Sequence, residues 1–405
     1  MCAIMDAGTR ELLDLLLRWV HVIAGIMWIG NSLLFNWLDR NLLPRGDPAV
    51  QGEAWLIHSG GFYLVEKRLL LEKLPVPLHW FKWQAYTTWL SGALLLIVLY
   101  YTTGGALLLG PEPRLSAGTA SALGAGLLVA GWIGYDVVWT SPLARSPRSL
   151  TLASLAALLG IGYLLTELFS GRAAFLHLGA LMGTLMAGNV AMRIMPAQRQ
   201  LVAAVRQGQP PDPELAGRAK LRSIHNNYMT FPVIVLMVSS HFSMLHGHER
   251  NWIILGVLLV AGAGVRHFMN LRFTYRRWFP ALASTAAAGA AVLYLLAAQP
   301  ASERRRAGGA VRSDDAAVPF ATARSIIDRR CAGCHASAPS DRTFGVMPGG
   351  VAFDTPAQIR ALAERIRVRA IETRTMPPAN KTLMTEEERL ILRRWLDQGA
   401  RVTDR

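Results

Sequence analysis

The chain has 405 residues, a formal net charge of +15 and 52% hydrophobic residues. Long apolar runs fill residues 12–298 and the basic residues lie mostly between them, where lysine and arginine set membrane topology; no nucleic-acid partner is expected. Three cysteines exclude a disulfide framework, because Cys331 and Cys334 belong to one motif and leave Cys2 alone.

In chain order, the apolar runs predict about eight spans of roughly twenty residues. They fall near Leu12–Leu38, Trp83–Thr103, Ala120–Thr140, Leu150–Phe169, Ala173–Met195, Tyr228–Leu245, Trp252–Met269 and Phe279–Ala298. The first is long enough to span and lacks a small-residue cleavage site, so it reads as a retained helix. Small-residue stretches such as "AGAGV" and "AAAGAA" suit close helix packing in lipid. Between the first two spans, the stretch around Gly60-Gly61 reads as a small hairpin or a membrane-surface element. The fold class expected is all-α: a transmembrane bundle (1–299), a linker (300–317) and, from the C-x-x-C-H run at Cys331, Cys334 and His335, a C-terminal class I-like cytochrome c domain (318–405).

Charge sets the expected orientation. Arg40, Arg45, Lys67, Arg68, Lys73 and Lys82 follow span one, Arg145 and Arg148 span three, Arg199 to Arg222 span five, and Arg272 to Arg277 span seven. These loops read as cytoplasmic and both termini as external. The protein is therefore expected in a bacterial inner membrane, surrounded by lipid, with its C-terminal domain on the periplasmic side. The arginine run "ERRRAGG" at 303–309 reads as a solvated linker.

Cys331, Cys334 and His335 spell C-x-x-C-H in "RRCAGCHASAP", the attachment signal of one covalent haem c. The thiols would form thioethers and His335 would be the proximal iron ligand. "FATARSIIDRRCAGCH" predicts a helix running into the motif, and "TEEERLILRRWLDQGA" a C-terminal helix with Thr385 and Glu388 as a capping box. A methionine thioether as sixth ligand would raise the potential. Met376 in "RTMPPAN" is the favoured candidate, ahead of Met347 and, more weakly, Met384.

Ionisable residues in a membrane span are functional candidates. His21, His177, His241 and His267 are candidate ligands of a second, non-covalent b-type haem; inter-helix hydrogen bonding is the plainer alternative. At the cytoplasmic side His58, His79 and His225 with Lys67, Lys82, Arg193, Asn226 and Asn227 could form a cationic mouth. Of these, His58, Lys67, Arg193 and Asn226 are the candidate substrate-pocket residues. Asp136 and Glu167 read as salt-bridging acids ahead of catalytic ones.

The segments "LLLRWVHVIAGIMWIGNSLLFNWLD", "HSGGFYLVEK", "HWFKWQAYTTWLSG" and "GNVAMRIMPAQR", followed by "CAGCH…TMPPAN", resemble the membrane-bound, cytochrome-c-linked urate oxidases (urate hydroxylases) of bacteria. The likeness covers nearly the whole chain. It implies an oxidoreductase of purine degradation that converts urate to 5-hydroxyisourate. Electrons would pass through the covalent haem to a terminal cytochrome oxidase or a soluble acceptor, without forming peroxide. The segment from His21 to Trp28 is also faintly similar to haem-binding helices of small membrane oxidases of porphyrin metabolism.

Overall fold

A computed structural model describes residues 7–47, 50–68, 74–75, 77–297, 317–341 and 347–402. Cys2, Lys73, the arginine run at 303–309 and nearly all of the 300–317 linker lie outside the described residues.

Helix α1 (Ala7–Asn41) is followed by an antiparallel hairpin, β1 (Val50–His58) and β2 (Gly61–Arg68). Its two-residue turn, Ser59-Gly60, has positive φ at both positions, which matches the twist of the strands. This hairpin is the exception to the all-α expectation among the described residues. Helix α2 (Trp83–Leu96) passes into a π turn (Ile97–Tyr101); α3 (Ala117–Thr140) and α4 (Pro147–Leu168) follow. Next, α5 (Gly171–Gly188), a π segment (Asn189–Ile194) and α6 (Met195–Arg206) form one continuous rod. The bundle ends with α7 (Pro213–Ser239), the short α8 (Ser243–His246), α9 (Asn251–Leu271) and α10 (Trp278–Ala297).

Six helices among the described residues are long and apolar enough to cross a membrane: Gly8–Asn41, Ala117–Thr140, Pro147–Leu168, Gly171–Arg206, Asn251–Leu271 and Trp278–Leu296. The other two expected spans are helical but different. One is split between α2 and its π turn. The other is α7, which carries Arg222, His225, Asn226 and Asn227 up to its middle and Pro232 beyond it. This architecture is compatible with a multi-pass membrane protein.

Helix α5 is the core of the bundle. Ala173, Ala174, Phe175, Leu178, Leu181, Met182 and Leu185 are buried on it against Leu165, Leu236 and Leu255. The outer faces of α1 and α3 expose Leu15, Trp19, Ile26, Val129, Ile133 and Val137. Apolar surface of that extent fits lipid better than water.

The C-terminal unit consists of α11 (Phe320–Arg330), α12 (Pro356–Ala361), α13 (Ala363–Ile366) with a π segment (Arg367–Glu372), and α14 (Glu386–Asp397). Ile326, Ile327, Phe353, Ile359, Ile366, Leu392 and Trp395 form a core separate from the bundle's. The predicted capping box at Thr385 and Glu388 is present. Glu388 also accepts from Arg330 Nε at 2.9 and 3.0 Å, which ties the start of α14 to the end of α11.

Candidate functional site

The last turns of α3, the π segment and the first half of α7 converge at one end of the bundle. Asp136 on α3 accepts from Arg193 Nε at 2.8 Å and from Arg222 Nη2 at 3.0 Å. Arg222 is 4% exposed, and its guanidinium lies 4.8 Å from the centre of the Tyr135 ring. Asn189 donates to the Tyr135 hydroxyl (3.0 Å) and to Asn226 Oδ1 (2.9 Å); Asn226 in turn donates to the Met186 carbonyl (3.0 Å). Because the Tyr135 oxygen accepts from Asn189, its proton is free to go to His225 Nδ1, 2.7 Å away. Trp139 packs on the His225 ring at 4.1 Å.

Two features of this network call for a ligand. It holds two guanidinium groups, the buried one of Arg222 and the exposed one of Arg193, against one carboxylate, so it carries a net positive charge. Arg222 Nη1 and Asn189 Oδ1 are both buried without a hydrogen-bond partner among the described residues. Each such group costs about 1–3 kcal/mol. One is a donor and the other an acceptor, and both belong to the network built around Asp136 and Tyr135.

Asn226 and Asn227 are adjacent on α7 and so face different neighbours. Asn227 Oδ1 accepts from Arg266 Nε at 3.1 Å and from Asn270 Nδ2 at 2.7 Å, forming a second buried cluster against α9. Of the predicted substrate-pocket residues, Arg193 and Asn226 therefore join the first network. His58, on the exposed hairpin turn, bonds Ser59, and Lys67 pairs with Asp39; neither touches that network. Lys82 instead lines an open cleft of about 460 Å³ with Trp80, Arg199, Arg206 and Gln207. Asp136 and Glu167 are salt-bridged, the latter to Arg114 at 3.6 Å.

The four candidate membrane haem ligands are dispersed. His21 Nδ1 bonds the Thr88 carbonyl at 2.8 Å, and its ring lies against Gly92. His177 is fully buried; its Nδ1 bonds the Ala173 carbonyl (2.8 Å) and its Nε2 the Tyr101 hydroxyl (3.0 Å). Gly124 lacks a side chain where one would strike both Tyr101 and His177. His241 lies exposed in the turn after α7, and His267 bonds Tyr228 on the neighbouring helix.

In the C-terminal unit, the end of α11 presents Cys331, Cys334 and His335. The His335 amide donates to the Cys331 carbonyl at 2.9 Å. Nδ1 of the ring faces the Val351 carbonyl at 3.1 Å. A proton on Nδ1 bonded to that carbonyl leaves Nε2 as a free lone pair, the arrangement that orients a metal-binding imidazole. Burial lowers the pKa of His335 and keeps the ring neutral. Burial pushes the Cys331 thiol up to about 12 and the Cys334 thiol up to about 11. Two thiols and an imidazole with a free nitrogen are a donor set that fits a covalent haem. Met384 is 3% exposed inside the apolar core, and its carbonyl accepts from Asn380 Nδ2 at 3.1 Å. Met376 and Met347 are both half-buried on loops; the Met376 carbonyl accepts from Arg389 at 3.2 Å.

Long apolar helices compatible with a multi-pass membrane protein are thus joined to a cationic network and to a small helical unit carrying C-x-x-C-H. The family model described as "Urate oxidase N-terminal" matches residues 7–298, well over half of the chain, and the chain belongs to that family. No curated protein and no solved structure matches it.

Proposed function

We propose that the protein oxidises urate to 5-hydroxyisourate at the Asp136–Arg222–Asn189 network. The electrons leave through one haem c held by Cys331 and Cys334, with His335 and Met376 as iron ligands, to a terminal cytochrome oxidase or soluble acceptor. Family membership supports urate-related oxidoreductase chemistry. The observation that carries the choice of site is the open pair, Arg222 Nη1 and Asn189 Oδ1, within a network of net positive charge.

Urate is an anion at neutral pH, and Arg222 would bind it through a charge-assisted hydrogen bond while Asn189 accepts a ring N–H. Loss of two electrons makes C5 electrophilic; the oxygen of a water bonds there and a proton is released. Tyr135 is placed to take that proton as it gives its own to His225 Nδ1, a relay built on the 2.7 Å bond between them. When bound, haem c supplies a one-electron carrier that accepts twice per urate. A b-type haem as an intermediate centre would take His21, whose Nδ1 is on the Thr88 carbonyl; His177 Nε2 is already bonded to the Tyr101 hydroxyl. The C-terminal unit would then lie on the periplasmic side.

The test is anaerobic mixing of the purified full chain with urate. Reduction of the haem c band without peroxide is expected. No reduction in a haem-loaded preparation would sink the enzyme reading and favour a relay subunit that serves another dehydrogenase. A pyridine haemochrome spectrum of the same sample counts haem c and detects haem b; haem c alone would remove the b-type proposal.

A further inference from the structure

Three arginines without a carboxylate partner among the described residues lie where the C-terminal unit rests on the bundle. The contact is close. A Cβ on Gly247 would lie 2.6 Å from Thr373 Cβ and 3.0 Å from Thr375 Cγ2, and Ala379 packs against the apolar core of the bundle. On the bundle side, a side chain at Gly171 would collide with the carbonyl of His246, so the start of α5 is pressed against the same place. Arg172 comes next, and its Nε is buried with no hydrogen-bond partner. Across the contact, Arg369 reaches only Thr375 Oγ1 through its side chain, at 3.4 Å. Nearby Arg367, Arg374 and Arg389 are paired with Asp397 or Glu386; Arg172, Arg365 and Arg369 have no ion pair among the described residues.

These charges act on one another. Burial lowers the pKa of Arg369, and the charges of Arg172 and Arg365 lower it further. His246 is lowered to about 4, first by burial and then by Arg172 and Arg369. Arg365 lies four residues before Arg369 on the same helical segment, and the amide of Met376, the proposed iron ligand, donates to the Arg369 carbonyl at 3.0 Å. Positive charge therefore extends from the Met376 loop across the contact to the start of α5. Like charges gathered in a partly buried contact are unfavourable unless an anion lies among them.

We propose that Arg172, Arg365 and Arg369 form a carboxylate site shared by the bundle and the C-terminal unit, whose ligand is the two propionates of the haem at Cys331, Cys334 and His335. The inference rests on the haem reading above. Guanidinium groups suit carboxylates through paired N–H donors. One of the three belongs to the bundle, so the loaded haem fastens the unit to the membrane domain, and docking follows haem attachment.

The test is the haem midpoint potential of the full chain. Arg172→Gln should lower it, because removing a nearby positive charge favours the ferric form. Arg172→Lys should restore most of the value. Arg114→Gln, which alters an arginine already paired with Glu167, should not move it. An unchanged potential in Arg172→Gln at equal haem content overturns the proposal. A shift seen only on adding phosphatidylglycerol or inorganic phosphate assigns the site to a free anion and also overturns it. Absence of covalent haem from the unmodified chain is a different result, which fails the haem reading itself. A second readout needs no redox measurement: the haem-loaded Arg172→Gln chain should be cut faster by trypsin after Arg374 in the contact loop than the haem-loaded unmodified chain, and an equal rate counts against propionate-dependent docking.

Discussion

Arg222 and Tyr135 make the sharpest claims at the scale of single residues. Arg222 is buried, shares Asp136 with Arg193 and keeps one nitrogen open. A hydrogen bond to a charged group contributes about 1.5–3 kcal/mol, so Arg222→Gln should weaken urate binding by roughly ten- to a hundredfold. Tyr135→Phe keeps the ring under the guanidinium but removes the proton relay. It should leave urate binding near normal and slow haem reduction by a factor on the order of 10² or more. Stopped-flow reduction across a urate titration separates the two effects; a Tyr135→Phe chain of full rate would remove it from the mechanism. Asn226 and Arg193 were legible in the sequence as polar residues inside apolar text. Arg222 was not, because an arginine beyond a polar loop looks like a topology signal until the helix is seen to carry it inward. Its spacing from His225 and Asn226, three and four residues, was the available sign of a shared helix face.

Among the elements, α14 carries a testable electrostatic contribution. Burial works to raise the pKa of Glu388, but the Arg330 bond and the cap amide of Thr385 outweigh it and hold the carboxyl below its usual range. A carboxylate depressed by folding stabilises above its unfolded pKa and ceases to do so as pH falls through the folded value. The C-terminal unit should therefore lose stability below about pH 4.3, and Glu388→Gln should flatten that part of the curve. Thermal unfolding followed between pH 3 and 7 checks this; parallel curves for both chains would count against it. The cap itself was readable as Thr385-x-x-Glu388, since it depends on four consecutive residues. Interruptions in helices were not. The π segments at Ile97–Tyr101 and Asn189–Ile194 continue helices through ordinary helix-compatible residues, so nothing in the local sequence marks the wider turn. The hairpin was half legible: Ser59-Gly60 fixed the turn, while the apolar residues on either side could equally have lain on a membrane surface.

For the whole molecule, α5 acts as a ruler. Gly171 at its start touches the region where the C-terminal unit docks, and Asn189 just past its end belongs to the proposed urate site. Eighteen residues of helix separate them by about 27 Å, close to the hydrocarbon thickness of roughly 30 Å. His177 lies between, about 9 Å from Gly171 on the same count. This separation has an electrical consequence. On the proposed reading, each electron taken from urate crosses most of the membrane from the inner to the outer face, so turnover is electrogenic. An inside-negative voltage drives electrons in that direction, by about 2.3 kcal/mol per 100 mV for a full crossing. The protein would draw on the resting voltage rather than help to build it. In sealed, energised vesicles of native orientation, collapsing the voltage with an ionophore should slow urate oxidation; an unchanged rate would place the urate site and the C-terminal unit at the same electrical depth.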